Sequence, residues 1–357
     1  MRVAMRDLSG VVCERGIEDG GWTDDSAGPV LDLSGLWCLP GLADSHAHLA
    51  QDDMVLEPGD PAAIAARAVT LLDGGVLLCF DKGWRDTTVI GLLSRPAWER
   101  PDLHAAGRMI AAPGGYYPGF AVETDADGLA AAVGAAVAES AGWVKLVGDW
   151  PRRGMGAVAN FDEDALRVAV DLAHRGGARV AIHTAAPHVA SAAVRAGVDS
   201  IEHGLFLTDD DLRLLGARGG AWVPTVLRME AVVEEVGRER TGGRVVAEGL
   251  ARVRALLPSA VERGVHVLAG SDLAVPSSRV VSEALRMIDY GLSHEDAVAA
   301  VSTAAYRYAG RSAGFEVGEP ADLVGFDVHP HDDPTVLGAP VAVIRSGRVR
   351  RLPTDGV

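Results

Sequence analysis

Residues 39–48 read Leu39-Pro40-Gly41-Leu42-Ala43-Asp44-Ser45-His46-Ala47-His48, a largely apolar run that ends in two histidines spaced two residues apart. Alternate side chains of a β-strand lie on one face, so His46 and His48 are expected to point the same way. Two imidazoles side by side at the end of a strand form half of a divalent-metal site. A His-x-His pair also occurs on exposed strands, so a metal site requires further ligands.

Four further polar residues lie in or directly after short apolar runs that are predicted to be strands, and these residues are Lys145, His183, His203 and Asp272. Lysine is an unusual candidate, because an ammonium group with a pKa of about 10.4 repels cations. A lysine that is removed from water loses its proton more easily, and its neutral amine can add carbon dioxide. The resulting carbamate is anionic and has two oxygens, so it can hold two metals.

The chain alternates apolar segments of about five residues with longer Ala-rich segments that are predicted to be helical, such as residues 162–175 and 187–196. This alternation is typical of parallel β/α units, and eight such units close into a (β/α)8 TIM barrel. Active sites of such barrels lie at the C-terminal ends of the strands, where all the candidate ligands fall. The eight strands are predicted to end near His46, Asp81, Met109, Val147, His183, His203, Thr225 and Asp272.

The candidate ligands, in their order along the chain, resemble the metal centre of the amidohydrolase superfamily. The resemblance is greatest to its imidazolonepropionase-like and Xaa-Pro dipeptidase (prolidase-type) branch, and it extends over nearly the whole chain. A departure follows Lys145, where Leu146-Val147-Gly148-Asp149-Trp150 replaces the Ser-Gly-Gly run that is common in the branch. Further matching segments are Ala173-His174-Arg175, Ile201-Glu202-His203-Gly204, Val223-Pro224-Thr225, Ala269-Gly270-Ser271-Asp272 and residues 115–123 and 318–324.

The resemblance implies a pair of divalent metal ions, for which zinc is the expected element. It implies that His46 and His48 bind the more buried ion and that His183 and His203 bind the more exposed ion. Carbamylated Lys145 would bridge the two.

The expected reaction is hydrolysis of a C–N amide bond by a metal-bound hydroxide, in an N-acyl amino acid, a dipeptide or a cyclic amide. Asp272 is expected to bind the buried metal and to shuttle a proton to the leaving nitrogen.

Two alternatives stay within the superfamily, a mononuclear deaminase and a lactonase. The deaminase would require an acid shortly after His183, where Thr184-Ala185-Ala186 follow instead. A non-enzymatic binding protein on the same barrel is a further alternative, because a fold does not fix a function.

Three residues are candidates for contacts with a small-molecule substrate. Tyr116 and Tyr117 follow the third predicted strand, and Arg228 follows the seventh. In the alternative interpretation, the tyrosines pack within the loop and the arginine is solvated. Both residue types commonly bury the apolar part of the side chain while the polar end contacts water.

Composition favours a cytoplasmic enzyme. The 357 residues carry a formal net charge of −16, which argues against binding to nucleic acid or to anionic membranes. The first residues lack the continuous apolar core of a signal peptide, and no segment is long enough to span a bilayer. Cys13, Cys38 and Cys79 are widely separated, so neither a disulfide framework nor a thiolate zinc site is predicted.

The two ends of the chain are expected to pair with each other. Short strands separated by turn residues in 1–38 and 318–357 are predicted, as the resemblance implies, to form a small β-sandwich domain. Residues 39–317 then form the metal-dependent hydrolase barrel. The oligomeric state stays open, a homo-oligomer included.

Overall fold

A computed structural model of the protein describes residues 1–25, 27–152 and 155–353. The strands in chain order are β1 (Arg2–Arg6), β2 (Val12–Glu18), β3 (Gly21–Thr23), β4 (Val30–Leu39), β5 (Leu42–Ala47), β6 (Val76–Asp81), β7 (Asp102–Ala105), β8 (Met109–Ala111), β9 (Ala121–Glu123), β10 (Trp143–Val147), β11 (Asp149–Arg152), β12 (Gly156–Ala159), β13 (Arg179–Thr184), β14 (Ser200–His203), β15 (Ala221–Val223), β16 (His266–Val267), β17 (Leu323–Phe326), β18 (Ala342–Arg345) and β19 (Arg348–Arg351).

The helices lie mainly between the parallel strands. They are α1 (Pro61–Asp73), α2 (Ala126–Glu139), α3 (Glu163–Arg175), α4 (Val189–Ala196), α5 (Asp209–Ala217), α6 (Val226–Val236), α7 (Thr241–Glu262), α8 (Val281–Asp289), α9 (His294–Ala300) and α10 (Thr303–Tyr308). Short 3₁₀ helices cover Thr88–Ser94, Ala97–Glu99, Ser277–Arg279 and Pro334–Gly338. Every helix in the described ranges is too short or too polar to traverse a bilayer.

The two ends of the chain share one seven-stranded sheet, in the order β19-β18-β17-β4-β1-β2-β3. Strand β4 joins the two halves, because it is parallel to β1 and antiparallel to β17. Residues such as Met5, Trp22 and Ile344 form the core of this sheet. The division into a two-layered sandwich of residues 1–38 and 318–357 and a barrel of residues 39–317 stays a prediction.

The remaining long-range sheets are parallel, which confirms the mixed α/β class. Strands β5-β6-β7 form one sheet, and β16-β15-β14-β13-β10-β8-β9 form another. The described strands therefore do not close into one continuous barrel. On one side the two sheets are joined by single hydrogen bonds, because the N–H of Ser45 donates to Ala269 (2.9 Å) and that of Asp272 donates to His46 (2.8 Å). Closure of the (β/α)8 barrel stays a prediction.

Two predicted strands differ from the structure. The third was expected to end near Met109, but residues 102–111 form the separate strands β7 and β8. Gly107 between them has a φ of +68°, and its carbonyl accepts the N–H of Trp84 at 2.8 Å. The eighth predicted strand is only two residues long, and the chain enters a left-handed conformation at Asp272, where φ is 41°. The left-handed conformation of Gly107 accounts for the first departure.

The predicted helix at residues 162–175 is confirmed. Asp162 is its N-cap, and the Asp162 carboxylate accepts the N–H of Ala165 at 2.8 Å. The helix predicted from residue 187 begins later, at Val189, because His188 has a φ of 70°.

A buried arginine connects the terminal sheet to the rest of the molecule. The guanidinium group of Arg345, in β18, pairs with the Asp322 carboxylate, and both side chains are almost fully buried. Its Nε also donates to the carbonyls of Ala97 (3.0 Å) and Arg100 (2.9 Å), which lie next to the parallel strands. Loss of the arginine would therefore leave one carboxylate and two carbonyls without these partners.

The substitution Arg345→Leu is expected to lower the free energy of unfolding by about 3–5 kcal/mol, because it leaves a buried carboxylate without its counter-charge. Denaturant unfolding measures the change. Arg167→Ala is the control, since the exposed pairs of Arg167 with Glu163 and Asp164 should contribute no more than about 1 kcal/mol. Equal small losses in both variants would show that the buried pair does not hold the sheet.

Candidate metal centre

All the predicted metal ligands line one cavity of about 220 Å³. They come from or directly follow parallel strands that are distant in sequence. Strand β5 and the residue directly after it contribute the histidine pair. Strand β10 contributes the lysine, β13 and β14 contribute one histidine each, and the segment after β16 contributes the aspartate. These residues are His46, His48, Lys145, His183, His203 and Asp272.

Three of these side chains form a tight group. The Nε2 atoms of His46 and His48 each lie 3.4 Å from Oδ1 of Asp272. One ligand atom from each of the three residues lies within 4.8 Å of the others, which is close enough for one cation to contact all three. The rings of the histidine pair are 5.2 Å apart and face the same cavity, in agreement with the spacing argument.

The orientation of the histidine pair leaves the Nε2 atoms available to a metal. Nδ1 of His48 lies 2.7 Å from the carbonyl oxygen of Gly83, which only accepts, so Nδ1 carries the proton. Nδ1 of His46 lies 2.6 Å from Oε2 of Glu202. Metal-binding histidines commonly direct their second nitrogen to such an oxygen acceptor. The arrangement therefore fits a metal ion on the Nε2 side.

His203 and His183 form the other side of the cavity. The Nδ1 atom of His203 lies 2.5 Å from the Thr225 hydroxyl, which donates its own proton to the carbonyl of Pro224 at 2.8 Å. When the hydroxyl donates to Pro224, it accepts the Nδ1 proton, and Nε2 of His203 then carries the lone pair. The rings of His183 and His203 are 4.6 Å apart. These two histidines share the cavity with the tight group but lie outside it.

The predicted lysine is buried in this cavity. Lys145 is only 3% exposed, and its Nζ has no hydrogen-bond partner among the described residues. Burial is the main cause that lowers the pKa of Lys145 to about 8. A buried amine without a partner fits a group that is completed by carbamylation and by metal ions, because an isolated buried polar atom is costly.

The electrostatics of the cavity suit a cation. Burial lowers the pKa of His46 to about 4 and that of His183 to about 3, so both rings are neutral near pH 7. Burial acts to raise the pKa of Asp272, but the surrounding imidazoles, His46 first, hold it below its usual value. Burial acts to lower the pKa of His48, but its contact with Asp272 raises that pKa above its usual value. A histidine must be neutral and a carboxylate ionised to bind a metal, so metal binding would release any proton held by His48.

The backbone around the cavity adopts conformations that are rare outside glycine. The φ angles are 63° at His203, 46° at Thr225, 41° at Asp272 and 59° at Leu273. Each such residue costs about 1–3 kcal/mol, and this strain tends to occur at functional sites. A glycine would relieve it, but at His203 and Asp272 it would remove the very side chain that faces the cavity.

The predicted substrate contacts also line the cavity. Tyr116, Tyr117 and Arg228 all belong to its wall, and Arg228 pairs with Glu235 at 2.9 Å. Sequence reasoning missed Trp150, whose ring centroid lies 4.6 Å and 4.7 Å from those of the two tyrosines. Apolar side chains complete the wall, namely Met54, Met109, Val147, Met229, Val232, Val236 and Val246.

The segment that departs from the Ser-Gly-Gly pattern forms a hairpin beside the site. Strands β11 and β12 pair antiparallel, and Asp149 and Trp150 begin the first of them. The buried Asp149 carboxylate accepts the N–H groups of Ala185 (2.9 Å) and Ala186 (3.0 Å) and so fixes the loop that follows His183. The only sequence signal for this role of Asp149 was that its segment differs from the Ser-Gly-Gly run of the family branch.

Sequence reasoning also gave no role to Glu202 and Lys82. Both are buried, and their charged atoms lie 3.1 Å apart directly behind His46. Glu202 stands within the quoted Ile-Glu-His-Gly motif, but strand alternation would place it on the face opposite to His203.

Comparison with known proteins is consistent with this geometry. A family model described as the amidohydrolase family matches residues 37–356. The uncharacterized protein Rv2915c of Mycobacterium tuberculosis (strain H37Rv) is 36% identical over 333 residues, which cover 91% of this chain and 88% of that protein.

Two solved structures superpose on nearly the whole chain. A Xaa-Pro dipeptidase with bound methionine in its active site has a TM-score of 0.81 and 21% identity, covering 98% of this chain and 99% of that one. A prolidase complexed with N-methylphosphonate-L-proline has a TM-score of 0.79 and 21% identity, covering 99% of this chain and 100% of that one. At these identities the superpositions establish a shared fold.

Cobalt(II) added to metal-free protein is expected to bind the group formed by His46, His48 and Asp272, and to produce a visible absorption band on binding. His48→Ala should weaken this binding at least tenfold, because it removes one of three ligands. His188→Ala, at an exposed histidine outside the cavity, is the control and should bind as wild type. Unchanged cobalt affinity in His48→Ala would place the ion elsewhere.

Proposed function

The chain belongs to the amidohydrolase family, and we propose that it is a metal-dependent hydrolase of C–N amide bonds, acting on N-acyl amino acids, dipeptides or cyclic amides. One observation carries the proposal. Lys145, a buried lysine whose Nζ has no hydrogen-bond partner in the part of the chain that the structure describes, lies in the same cavity as the tight group of His46, His48 and Asp272. This combination supports a site for two metals in a cavity that also holds an arginine.

The donor set suits two divalent ions, with zinc as the expected element. His46, His48 and Asp272 would hold one ion, His183 and His203 would hold the other, and carbamylated Lys145 would contact both. When bound, such ions polarise the substrate carbonyl and lower the pKa of a water molecule toward about 7.

Asp272 is the residue proposed to move the proton. Its carboxylate borders the cavity and is 14% exposed, so it can contact both substrate and water. It accepts a proton from the attacking water and then donates that proton to the leaving nitrogen. The acyl carbon gains the hydroxyl group, and the amine leaves neutral.

The cavity wall supports a substrate with an apolar side chain and a free carboxylate. Arg228 is 20% exposed at the cavity, and a guanidinium group binds a carboxylate with two parallel hydrogen bonds. Met229 and Val232, one helical turn or less away, present apolar surface to the same space. The dipeptidase that binds methionine and the prolidase that binds a proline derivative both hold ligands of this kind, which supports the choice of class.

The deaminase alternative has less support. No acidic residue follows His183 directly, and one oxygen of the nearby Asp149 carboxylate, Oδ2, accepts the N–H groups of Ala185 and Ala186. Asp149 is also not part of the cavity wall.

Wild-type protein is expected to hold two divalent ions per chain by elemental analysis. Lys145→Ala should lose the second ion and most of the activity, because the bridging group is absent. A short carboxylate such as propionate should restore part of the turnover by taking the place of the carbamate. Unchanged metal content and turnover in this variant would show that the lysine has only a structural role.

A panel of N-acyl amino acids, Xaa-Pro dipeptides, hydantoins, lactones and aminated nucleobases tests the reaction class. Wild type is expected to cleave an amide, and Asp272→Asn is expected to lose this activity because it lacks the proton acceptor. Ammonia released from nucleobases without amide cleavage would favour a deaminase. Binding without any turnover would favour a non-enzymatic protein.

Arg228→Met tests the recognition of a carboxylate within that panel. Hydrogen bonds to charged groups contribute about 1.5–3 kcal/mol, so kcat/KM should fall by about 10- to 100-fold on the best carboxylate substrate. The methyl ester of the same substrate is the matched control and should be affected little. An equal loss on acid and ester would assign Arg228 to packing of the cavity wall.

A further inference from the structure

A pair of opposite charges is buried behind the candidate metal centre. Glu202 in β14 is fully buried, and Lys82, directly after β6, is 2% exposed. The Nζ atom of Lys82 lies 3.1 Å from Oε1 of Glu202 and 4.4 Å from the centroid of the Trp143 ring. The Ser200 hydroxyl donates to the same Oε1 at 2.6 Å. One carboxylate oxygen is thus fully occupied by partners that have no part in metal binding.

The second carboxylate oxygen faces a predicted metal ligand. Oε2 of Glu202 lies 2.6 Å from Nδ1 of His46, a close ion-pair contact whose alignment departs from that of a regular hydrogen bond. Two atoms that both carried lone pairs would repel at this distance, so the proton of the neutral imidazole is on Nδ1. The Nε2 lone pair of His46 is then directed toward Asp272, from which it is 3.4 Å distant.

We infer that Glu202 is the positioning residue for His46 and that Lys82 is the charge partner which allows Glu202 to be buried. This inference rests on the proposed metal site. Glu202 selects the ring orientation and the tautomer of His46 in which Nε2 is free to bind a metal. The opposite charge of Lys82 balances the carboxylate, so the pair orients the ring without adding net charge behind the ion.

The backbone explains how Glu202 reaches this place. Ser200 and Glu202 lie two residues apart on the same face of β14, which accounts for their hydrogen bond. Strict alternation would turn His203 to the other face, but its φ of 63° ends the strand and directs the ring into the cavity. Two adjacent residues can therefore serve the same site, one by orienting a ligand and the other as a predicted ligand.

His46 differs from the other two oriented histidines in the kind of partner it has. The partner of His48 is the backbone carbonyl of Gly83, and that of His203 is the hydroxyl of Thr225. Only the orientation of His46, among these three, depends on an ionised side chain. If the pair of Glu202 and Lys82 served only stability, two apolar side chains of similar volume could replace it, because such replacements are often as stable. The contact of Glu202 with His46 is the feature that an apolar pair could not provide.

Two matched double variants test the inference. Glu202→Gln with Lys82→Met removes both charges but keeps an oxygen that can accept the Nδ1 proton. Glu202→Leu with Lys82→Met also removes the acceptor. Both should stay folded, because each replaces the whole pair. The leucine variant should bind cobalt(II) about 10- to 100-fold more weakly, in competition with a chelator, and the glutamine variant should lose less.

A second measurement needs no substitution. In metal-free wild type, nitrogen chemical shifts of labelled histidines should place the His46 proton on Nδ1, and in the leucine variant the two tautomers should mix. A proton on Nε2 in wild type would overturn the inference. So would a folded leucine variant that keeps wild-type cobalt affinity.

The two proposals fail in different ways. Absence of cobalt binding by wild type would contradict the metal-dependent function, whereas the tautomer of His46 would still test the role of Glu202. Cobalt binding that depends on Glu202, together with no hydrolysis of any substrate, would keep the positioning role and reject the proposed reaction.

Discussion

The junction between β5 and the segment after β16 is the constraint on which the site depends. The N–H of Asp272 donates to the carbonyl of His46 at 2.8 Å, although the two residues are more than two hundred positions apart. The buried Asp44 carboxylate accepts both the N–H (3.0 Å) and the hydroxyl (2.6 Å) of Ser271. Gly270 is required here, because a Cβ would approach that of His46 to 2.4 Å. These contacts bring the carboxylate and the histidine pair together without a continuous ladder of strand hydrogen bonds.

The conformations that direct side chains into the cavity are costly, and hydrogen bonds compensate for part of that cost. Thr225, with a φ of 46°, supplies the acceptor for His203, which is itself in a left-handed conformation. The buried Glu283 carboxylate accepts the N–H groups of Val226 (2.6 Å) and Leu227 (3.0 Å) at the start of α6. These contacts take the place of an N-cap side-chain bond, which Thr225 does not make. Contacts from neighbouring elements thus stabilise the strained backbone conformations at the strand ends.

The sequence predicts those features that depend on local periodicity. Spacing by two places His46 and His48 on one face, and the alternation of β10 turns Lys145 into the cavity. It does not predict the role of Glu202, because the neighbouring His203 breaks the alternation through a φ angle that no residue pattern encodes. The closing contacts at Asp272 were missed for a related reason, since they are single long-range hydrogen bonds. Strands β11 and β12 form a hairpin where the family branch commonly has a Ser-Gly-Gly run, so the resemblance could not predict this hairpin.

The charge of the chain limits how a carboxylate substrate can be recognised. A net charge of −16 gives no long-range attraction for anions, but charges farther away than about 8–10 Å are largely screened at physiological ionic strength. The contact proposed for Arg228 lies within that distance, at a cavity whose apolar side chains weaken screening. Its partner Glu235 is 57% exposed and therefore stays well solvated when a substrate carboxylate takes its place. The proposed recognition would depend on this exchange of partners inside the cavity, and the acidic surface would mainly reduce the rate at which an anionic substrate approaches.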